Sequence, residues 1–361
     1  MKPVIFLGPT ISHAEAESIL VADYRPPAAL ADIWRAARAD PPAIGIIDGY
    51  FHSIPSVWHK EILWAIQKGI AVFGAASMGA LRAAELSAFG MIGVGRIFEA
   101  YASGELEDED DVALAHADAA HGFRPHSEPM VNMRATLARA VDQGFITDEI
   151  RRRLEVIAKA LYYPDRIWPE VLRCASREEI DKKALRGFEA WLPTNRVDQK
   201  RVDAVALLEA VAAHISSEHK QTLNFCFEET VLWRTLLARE EAADDRAVIV
   251  ELTLEPELFE RVLPEARIYN TTVLDTLRKE GAYEHLLARA HYKRKIATLL
   301  PHRSLPDRES LIRWFFETRL GGWPDDLPSF VRTRGWVNEE ILADVAEREY
   351  LIFDSGPTSG L

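Results

Sequence analysis

The sequence predicts an α/β fold, in which an N-terminal parallel sheet of the Rossmann or flavodoxin-like kind is followed by a mainly α-helical C-terminal region. Three short apolar runs, at residues 4–7, 43–47 and 70–73, alternate with segments of helical composition. This alternation is typical of a parallel sheet with right-handed crossovers. Strand signals then become rare, so we expect an α/β core domain over residues 1–126 and a predominantly helical domain over residues 127–361.

The first elements follow from local signals. The apolar run 4–7 is closed by Gly8-Pro9-Thr10, which predicts a buried strand and its turn. Ser12 is followed three residues later by Glu15, the spacing of a capping box. We therefore expect a helix that continues to Leu20.

The next two strands end in polar or small residues. Asp48 follows the run 43–47, and the turn 74–79 follows the run 70–73. Ligands of parallel sheets bind beyond the carboxyl ends of the strands. We therefore expect Asp48, the turn 74–79 and Gly8-Pro9-Thr10 to converge on one crevice.

Ser77 is the residue of this crevice that most suggests chemistry. It precedes a segment, 80–86, that is rich in helix-forming residues. Several hydrolases place a nucleophile where a strand becomes a helix, because amides at the helix N-terminus can hold an oxyanion. The spacing departs from Gly-x-Ser-x-Gly, since Ala75 takes the first glycine position. The alternative is that Ser77 only caps the helix by accepting an amide hydrogen bond.

Four other segments allow more than one interpretation. Residues 112–116 are a candidate fourth strand, and residues 248–253 are either an isolated strand or part of a helix. The glycine-rich run 90–96 lacks the spacing of a phosphate loop. The acidic run 105–111 is more typical of an exposed loop than of a magnesium site, because consecutive carboxylates point in different directions.

Composition excludes several classes of protein. The formal charge of -13 argues against general nucleic-acid binding. Cys174 and Cys226 are too few for a disulfide framework or a thiolate metal site, and we expect both to be small buried apolar residues. No apolar run is long enough to cross a bilayer and the N-terminus is unlike a signal peptide, which favours a cytoplasmic protein. We expect no metal and no cofactor.

Several blocks in the first third of the chain resemble the TfuA family. They are residues 4–10, 24–28, 46–51, 55–63, 73–86 and 101–104, the acidic run ending at His116, and more weakly residues 161–166. TfuA-like proteins accompany YcaO enzymes, which use ATP to activate a peptide backbone amide and replace its oxygen. The resemblance therefore implies a role in peptide backbone thioamidation beside a YcaO-type partner.

The resemblance also implies a reaction. A protein of this family would hydrolyse the C-terminal thiocarboxylate of a small sulfur-carrier protein and so supply sulfide. Such acyl transfer needs a nucleophile, a base and an oxyanion hole. This requirement agrees with the independent interpretation of Ser77 as a nucleophile.

The remaining roles are assigned to residues near Ser77 in this scheme. The base should be a histidine, with His59 as the first choice and His116 as the second, and Asp48 would orient it. Arg82 either steers an anionic substrate or forms an ion pair with Glu85, three residues further along the helix. The oxyanion and substrate-binding candidates share the turns and the following helix: Gly8, Pro9, Thr10, Gly74, Met78, Gly79 and Arg82.

Two other functions compete with this hypothesis. The first is a non-catalytic adaptor that recruits or stimulates the YcaO partner. The second, which has less support, is a nucleotide-binding module that uses the same crevice. The absence of a complete phosphate-loop pattern counts against it.

Overall fold

The computed structural model describes residues 1–51, 54–118, 121–217, 225–268, 271–299, 307–319, 346–347 and 349–350. The chain divides into two compact units, residues 1–229 and 230–361. The boundary expected after residue 126 falls inside the first unit, because a helix at Gln199–Ile215 packs on the N-terminal sheet.

The first unit contains a five-stranded parallel sheet with the strand order β2-β1-β3-β4-β5. Its strands are β1 (Val4–Phe6), β2 (Asp23–Arg25), β3 (Ala43–Ile46), β4 (Ala71–Ala75) and β5 (Ile92–Val94). This is the doubly wound order of flavodoxin-like sheets, whose ligand crevice lies where the order reverses, between β1 and β3. The predicted α/β class, with a helical region after the sheet, is confirmed.

Most of the other described elements are α-helices, with short 3-10 helices at Ser87–Phe89, Glu109–Asp111 and Tyr163–Asp165. In the first unit the α-helices are α1 (His13–Ile19), α2 (Asp32–Arg38), α3 (His59–Gln67), α4 (Met78–Leu86), α5 (Arg96–Ala102), α6 (Met130–Asp142), α7 (Asp148–Ala160), α8 (Trp168–Ala175), α9 (Lys182–Asn195) and α10 (Gln199–Ile215). In the second unit they are α11 (Val231–Thr253), α12 (Pro256–Ile268), α13 (Val273–Lys279), α14 (Ala282–Leu299) and α15 (Arg308–Arg319). No helix of the described part is long and apolar enough to cross a membrane.

Helices cover both faces of the sheet. Helices α2 and α3 pack on one face, against strand residues such as Phe6 and Ile44. Helix α10 packs on the other face through Ala204, Leu207, Leu208 and Val211, which recur at helical spacing. Burial of this stripe fixes α10 to the sheet and sets the position of its first turn.

The structure confirms some local predictions. Ser12 caps α1, and its Oγ accepts a hydrogen bond from the Glu15 amide at 3.3 Å. Residues 248–253 belong to helix α11.

Other local predictions are wrong. Residues 112–116 form no strand and contribute only an isolated bridge between His116 and Pro125. No phosphate loop was predicted for the glycine-rich run 90–96, and it contains β5, where Gly93 packs so closely on Phe98 that a Cβ atom would overlap the ring. Cys174 is only half-buried and Cys226 is exposed, so neither is a buried apolar residue.

Candidate active site

The turn between β4 and α4 presents Ser77. Ala76 has φ of 66°, a left-handed conformation that costs energy for a residue other than glycine. The Ser77 amide donates to the Ala75 carbonyl at 2.7 Å, which closes the turn. Ser77 is the N-cap residue of α4 by position, but its side chain makes no capping hydrogen bond. The interpretation of Ser77 as a helix cap is therefore wrong, and its hydroxyl faces another partner.

Two glycines allow this turn to sit against the sheet. A Cβ atom on Gly79 would lie 1.7 Å from the Ile46 carbonyl oxygen, and one on Gly74 would lie 2.1 Å from the Gly79 carbonyl oxygen. Helix α4 thus enters so close to β3 and β4 that only glycine fits at either position. The structure places both glycines in packing contacts behind Ser77.

The hydrogen-bond partner of Ser77 is Lys200. Its Nζ lies 3.0 Å from Ser77 Oγ and 2.9 Å from the Val112 carbonyl oxygen. Lys200 is only 2% exposed, in the first turn of α10, four residues before Ala204 on the helix face that packs on the sheet. A lysine at a buried position of a helix is rare unless it is paired.

Helix α6 holds Lys200 in place through Asn132. The Lys200 amide donates to Asn132 Oδ1 at 3.1 Å, and Asn132 Nδ2 donates to Asp198 at 3.0 Å. Asp198 also caps α10 by accepting from the Arg201 amide at 3.0 Å. The side chain of Lys200 therefore starts from a main chain that is fixed on two sides.

Asp48 joins the two strands at which the sheet order reverses. Its carboxylate accepts the Gly8 amide at 2.9 Å, the Thr10 amide at 3.1 Å and the Thr10 hydroxyl at 2.6 Å. One carboxylate oxygen lies 3.8 Å from Lys200 Nζ. The predicted convergence of the ends of β1, β3 and β4 is thus present, with Lys200 between them. The amides of Gly8 and Thr10 both point to Asp48.

Burial changes the proton affinity of Lys200. The loss of solvent lowers the pKa of the Lys200 ammonium below its ordinary value, while the charges of Asp48 and Asp198 raise it by less. The neutral amine, which can accept a proton, is therefore more accessible than in an ordinary lysine.

Ser77 and Lys200 open onto a cavity of about 260 Å³. Two aromatic side chains from the segment after β3, Tyr50 and Phe51, line it together with Tyr163. The segment 112–116 forms another part of the wall, and Pro9 and Pro27 also contribute. The cavity lies beyond the carboxyl ends of the strands, as expected for a doubly wound sheet.

His116 lies on the wall of this cavity, whereas His59 does not line it. The Nδ1 atom of His116 donates to the Ala117 carbonyl at 2.7 Å, so Nε2 is the unprotonated nitrogen of the neutral ring. His59 Nε2 lies 2.8 Å from Glu85 Oε2. Within the described residues, Ser77 Oγ bonds to Lys200 and to neither histidine.

Arg82 belongs to the same cluster as His59. Its Nη1 donates to Glu85 at 2.8 Å and its Nε donates to the Val57 carbonyl at 3.1 Å. The ion pair with Glu85 that was one of the two predictions for Arg82 is therefore present. Arg82 does not line the cavity that contains Ser77.

The aspartates of the acidic run form ion pairs with basic side chains of the protein. Carboxylate oxygens of Asp108, Asp110 and Asp111 lie within 4.8 Å of one another. Lys159 contacts all three, at 3.0 Å from Asp108 and 3.1 Å from Asp111, and the buried Arg166 contacts Asp110 at 2.7 Å. These ion pairs attach α7 and the segment after it to the loop before residue 112.

Lys200 is the site residue that the sequence interpretation missed. The signal was present, since a lysine occupies the same helical face as the apolar positions 204, 207, 208 and 211. A lysine on an apolar stripe must find a polar partner inside the protein. That argument predicts a buried lysine, but only the fold shows that its partner is Ser77.

Part of the chain matches a known family. Residues 48–167 match the family model described as TfuA-like protein, and no curated protein matches the chain. The matched segment contains Asp48, Ser77 and His116, while Lys200 lies beyond it. The resemblance to the TfuA-like family is thereby confirmed over residues 48–167.

Proposed function

We propose that the protein hydrolyses the thiocarboxylate of a small sulfur-carrier protein, with Ser77 as nucleophile and Lys200 as general base. The sulfide would then pass to a YcaO-type partner for peptide backbone thioamidation. The observation that carries this proposal is the 3.0 Å contact between Lys200 Nζ and Ser77 Oγ on the wall of a cavity. The TfuA-like match of residues 48–167 supports the substrate class and the partner.

In the first half of the reaction, the neutral Lys200 amine takes the proton of Ser77 while Ser77 Oγ attacks the thiocarboxylate carbon. The tetrahedral intermediate then collapses, and the carbon–sulfur bond breaks. Sulfide leaves with the proton that Lys200 returns, so the carrier is left as an ester of Ser77. Lys200 thus acts as base and then as acid.

In the second half, water attacks the ester carbon and gives a proton to Lys200. The bond to Ser77 Oγ breaks and Lys200 returns the proton to the serine. The carrier is released as a carboxylic acid, which loses its remaining proton to the hydrosulfide and becomes a carboxylate. The net reaction converts one thiocarboxylate and one water into one carboxylate and hydrogen sulfide. It needs neither an oxidant nor a reductant.

Helix α4 supplies the charge stabilisation in this proposal. Met78 is the first residue of α4, so the helix has no preceding turn whose carbonyl could accept a hydrogen bond from the Met78 amide. The Gly79 amide instead approaches the Ile47 carbonyl at 3.5 Å. We therefore assign the oxyanion contact to Met78, in the partial positive field of the helix N-terminus.

Lys200 replaces histidine as the base that we propose. His59, the first choice from the sequence, contacts Glu85 and lies outside the cavity lining. His116 remains on the cavity wall, where its Nε2 is suited to contact the substrate or the leaving sulfide. Asp48 then acts on Lys200, 3.8 Å away, by favouring its protonated form during the reaction.

The test is sulfide release from a thiocarboxylated carrier by Ser77→Ala. We expect loss of release with unchanged folding, because the alanine removes only the Oγ atom. Ser103→Ala is the matched control, since Ser103 is exposed and its Oγ donates to the Ala100 carbonyl at 3.1 Å. Full release by Ser77→Ala would eliminate Ser77 as the nucleophile. The adaptor function instead predicts normal thioamidation by this variant when free sulfide is withheld.

A further inference from the structure

We infer that the main chain of Ala113 and Leu114 binds the acyl part of the substrate as an extended peptide, paired like an added strand beside Ser77. This inference rests on the proposed hydrolysis and names the form in which its substrate enters. The observation behind it is a pair of residues on the cavity wall whose main-chain polar groups have no partner among the described residues.

The segment that contains these residues adjoins the reactive groups. The Val112 carbonyl accepts from Lys200 Nζ at 2.9 Å, and the same Nζ reaches Ser77 Oγ at 3.0 Å. Ala113 and Leu114 follow directly along the wall. An acyl group on Ser77 therefore has this segment beside it.

The residues on either side of Ala113 and Leu114 are hydrogen-bonded through their amides. The Val112 amide donates to the Glu109 carbonyl at 3.4 Å, and the Ala115 amide donates to Ser127 Oγ at 2.8 Å. In the described part of the chain, no hydrogen bond involves the amide or carbonyl of Ala113 or Leu114. Ala113 is nonetheless only 4% exposed.

Unpaired main-chain groups on a buried residue call for a ligand. More than nine in ten buried amides and carbonyls in proteins are paired, because an unpaired group loses its hydrogen bonds to water without replacement. The sequence of segment 112–116 is strand-like, yet its bridge between His116 and Pro125 leaves Ala113 and Leu114 without a strand partner among the described residues. A peptide in an extended conformation would supply a donor and an acceptor to the one of these two residues whose main-chain groups face it, since neighbouring residues of a strand point to opposite sides.

In strand pairing, the protein binds the main-chain amides and carbonyls of the substrate rather than its side chains. In a paired strand, amides on alternate residues point toward the partner and the others point away. Replacement of single amides in the substrate by esters removes one donor at a time. The inference therefore predicts a loss of rate that alternates along the substrate chain.

The experiment uses the full-length protein and a ten-residue peptide ending in a thiocarboxylate, with an ester replacing one amide at a time in the last four positions. Thioacetate, which has no peptide amide, serves as the reference substrate. We expect kcat/KM to fall about tenfold for esters at alternate positions and to stay within about twofold at the others. Because the protein is unchanged, folding of a variant does not enter the comparison.

The outcomes separate this inference from the proposed function. Rates within twofold for every ester, with hydrolysis still abolished by Ser77→Ala, overturn the extended-strand inference and leave the hydrolase intact. Cleavage of the thiocarboxylated carrier without cleavage of the peptide also overturns the extended-strand inference. If neither the carrier nor thioacetate releases sulfide, the proposed function fails and the inference fails with it.

Discussion

Two lysines in the first unit, Lys200 and Lys159, differ in their burial and in the number of aspartates that they contact. Lys200 is 2% exposed, and the carboxylate of Asp48 lies 3.8 Å from its Nζ. Lys159 has a side chain that is 29% exposed and contacts three carboxylates in the acidic run 105–111. Both residues tie together segments that are distant in sequence, but Lys200 also reaches a hydroxyl group, that of Ser77.

The pKa values of the two lysines are shifted in opposite directions, because burial and nearby charges contribute differently at each site. For Lys200, burial lowers the pKa and the aspartate charges compensate only in part. For Lys159, burial also lowers the pKa, but hydrogen bonds to Asp110, Asp108 and Asp111 outweigh it and raise the pKa above its ordinary value. A buried lysine with few carboxylates is suited to proton transfer, whereas one surrounded by carboxylates is a permanent structural cation.

The strongest test of this difference replaces each lysine by methionine, which keeps most of the length of the side chain and removes its charge. Lys200→Met should reduce sulfide release about 10²- to 10⁴-fold, the usual contribution of a general base. Lys159→Met should leave kcat within about threefold of the value for the unchanged protein. The reason is that Lys159 does not line the cavity, so its replacement changes no group there. Initial rates of sulfide release, with circular dichroism to check folding, measure both. If Lys200→Met kept its activity, the base assignment would pass to His116, which His116→Gln would then test.

The loss of stability should be larger for Lys159→Met than for Lys200→Met, which is the reverse of the order expected for the loss of activity. Lys159→Met leaves Asp111, whose side chain is 3% exposed, with one cation fewer, and we expect the free energy of unfolding to fall by about 1–3 kcal/mol. Lys200→Met removes a buried amine and leaves the three hydrogen bonds to Asp48 in place, so its loss should be smaller. Urea unfolding of both proteins gives the comparison, and a larger loss for Lys200→Met would contradict it.

The pH dependence of kcat/KM tests the role of Asp48. The proposed reaction needs the neutral amine of Lys200, so the rate should rise with pH through the pKa of that group, which burial places below its ordinary value. The negative charge of Asp48 favours the ammonium and raises this pKa. Asp48→Asn should therefore lower the pKa and move the rising limb to lower pH. If the rising limb of the pH–rate curve stayed in place or moved to higher pH, the charge of Asp48 would not be what raises the pKa of Lys200.

The smallest effect is expected from the outermost carboxylate of the Lys159 cluster. The Asp108 side chain is 67% exposed, so water screens its 3.0 Å contact with Lys159. Asp108→Asn should change the free energy of unfolding by no more than about 0.5 kcal/mol and leave the rate of sulfide release unchanged. A loss above about 1 kcal/mol in urea unfolding would show that the cluster acts as one tightly coupled unit.

The sequence was informative where the signal is local and apolar. The runs that became β1, β3 and β4 are hydrophobic at nearly every position, and buried parallel strands need this. Asp48 and Ser77 could be placed at strand ends for the same reason. The short strands β2 and β5 were missed because Asp23–Arg25 is polar and Ile92–Val94 contains glycine, so their pairing depends on the sheet rather than on their own composition.

The contact of Lys200 with Ser77 could not be predicted because it joins two residues that are far apart in the sequence. Lys200 is 123 residues from Ser77 in sequence, and only the packing of α10 on the sheet brings them together. His59 was chosen because it lies in a block that resembles the TfuA family and on the helix after Asp48, and His116 because it follows the acidic run at the end of a candidate strand. His59 instead follows the geometry of α3, which directs it to Glu85 on α4.

Helix α10 covers one face of the sheet and also carries Lys200, and this double role has a consequence during synthesis. A growing chain would present the β4–α4 turn to the cell long before residue 200 leaves the ribosome. Until the last segment of the first unit docks, the serine has no amine beside it and remains an ordinary alcohol. Under the proposed mechanism, only molecules in which α10 has docked on the sheet would acquire hydrolytic activity.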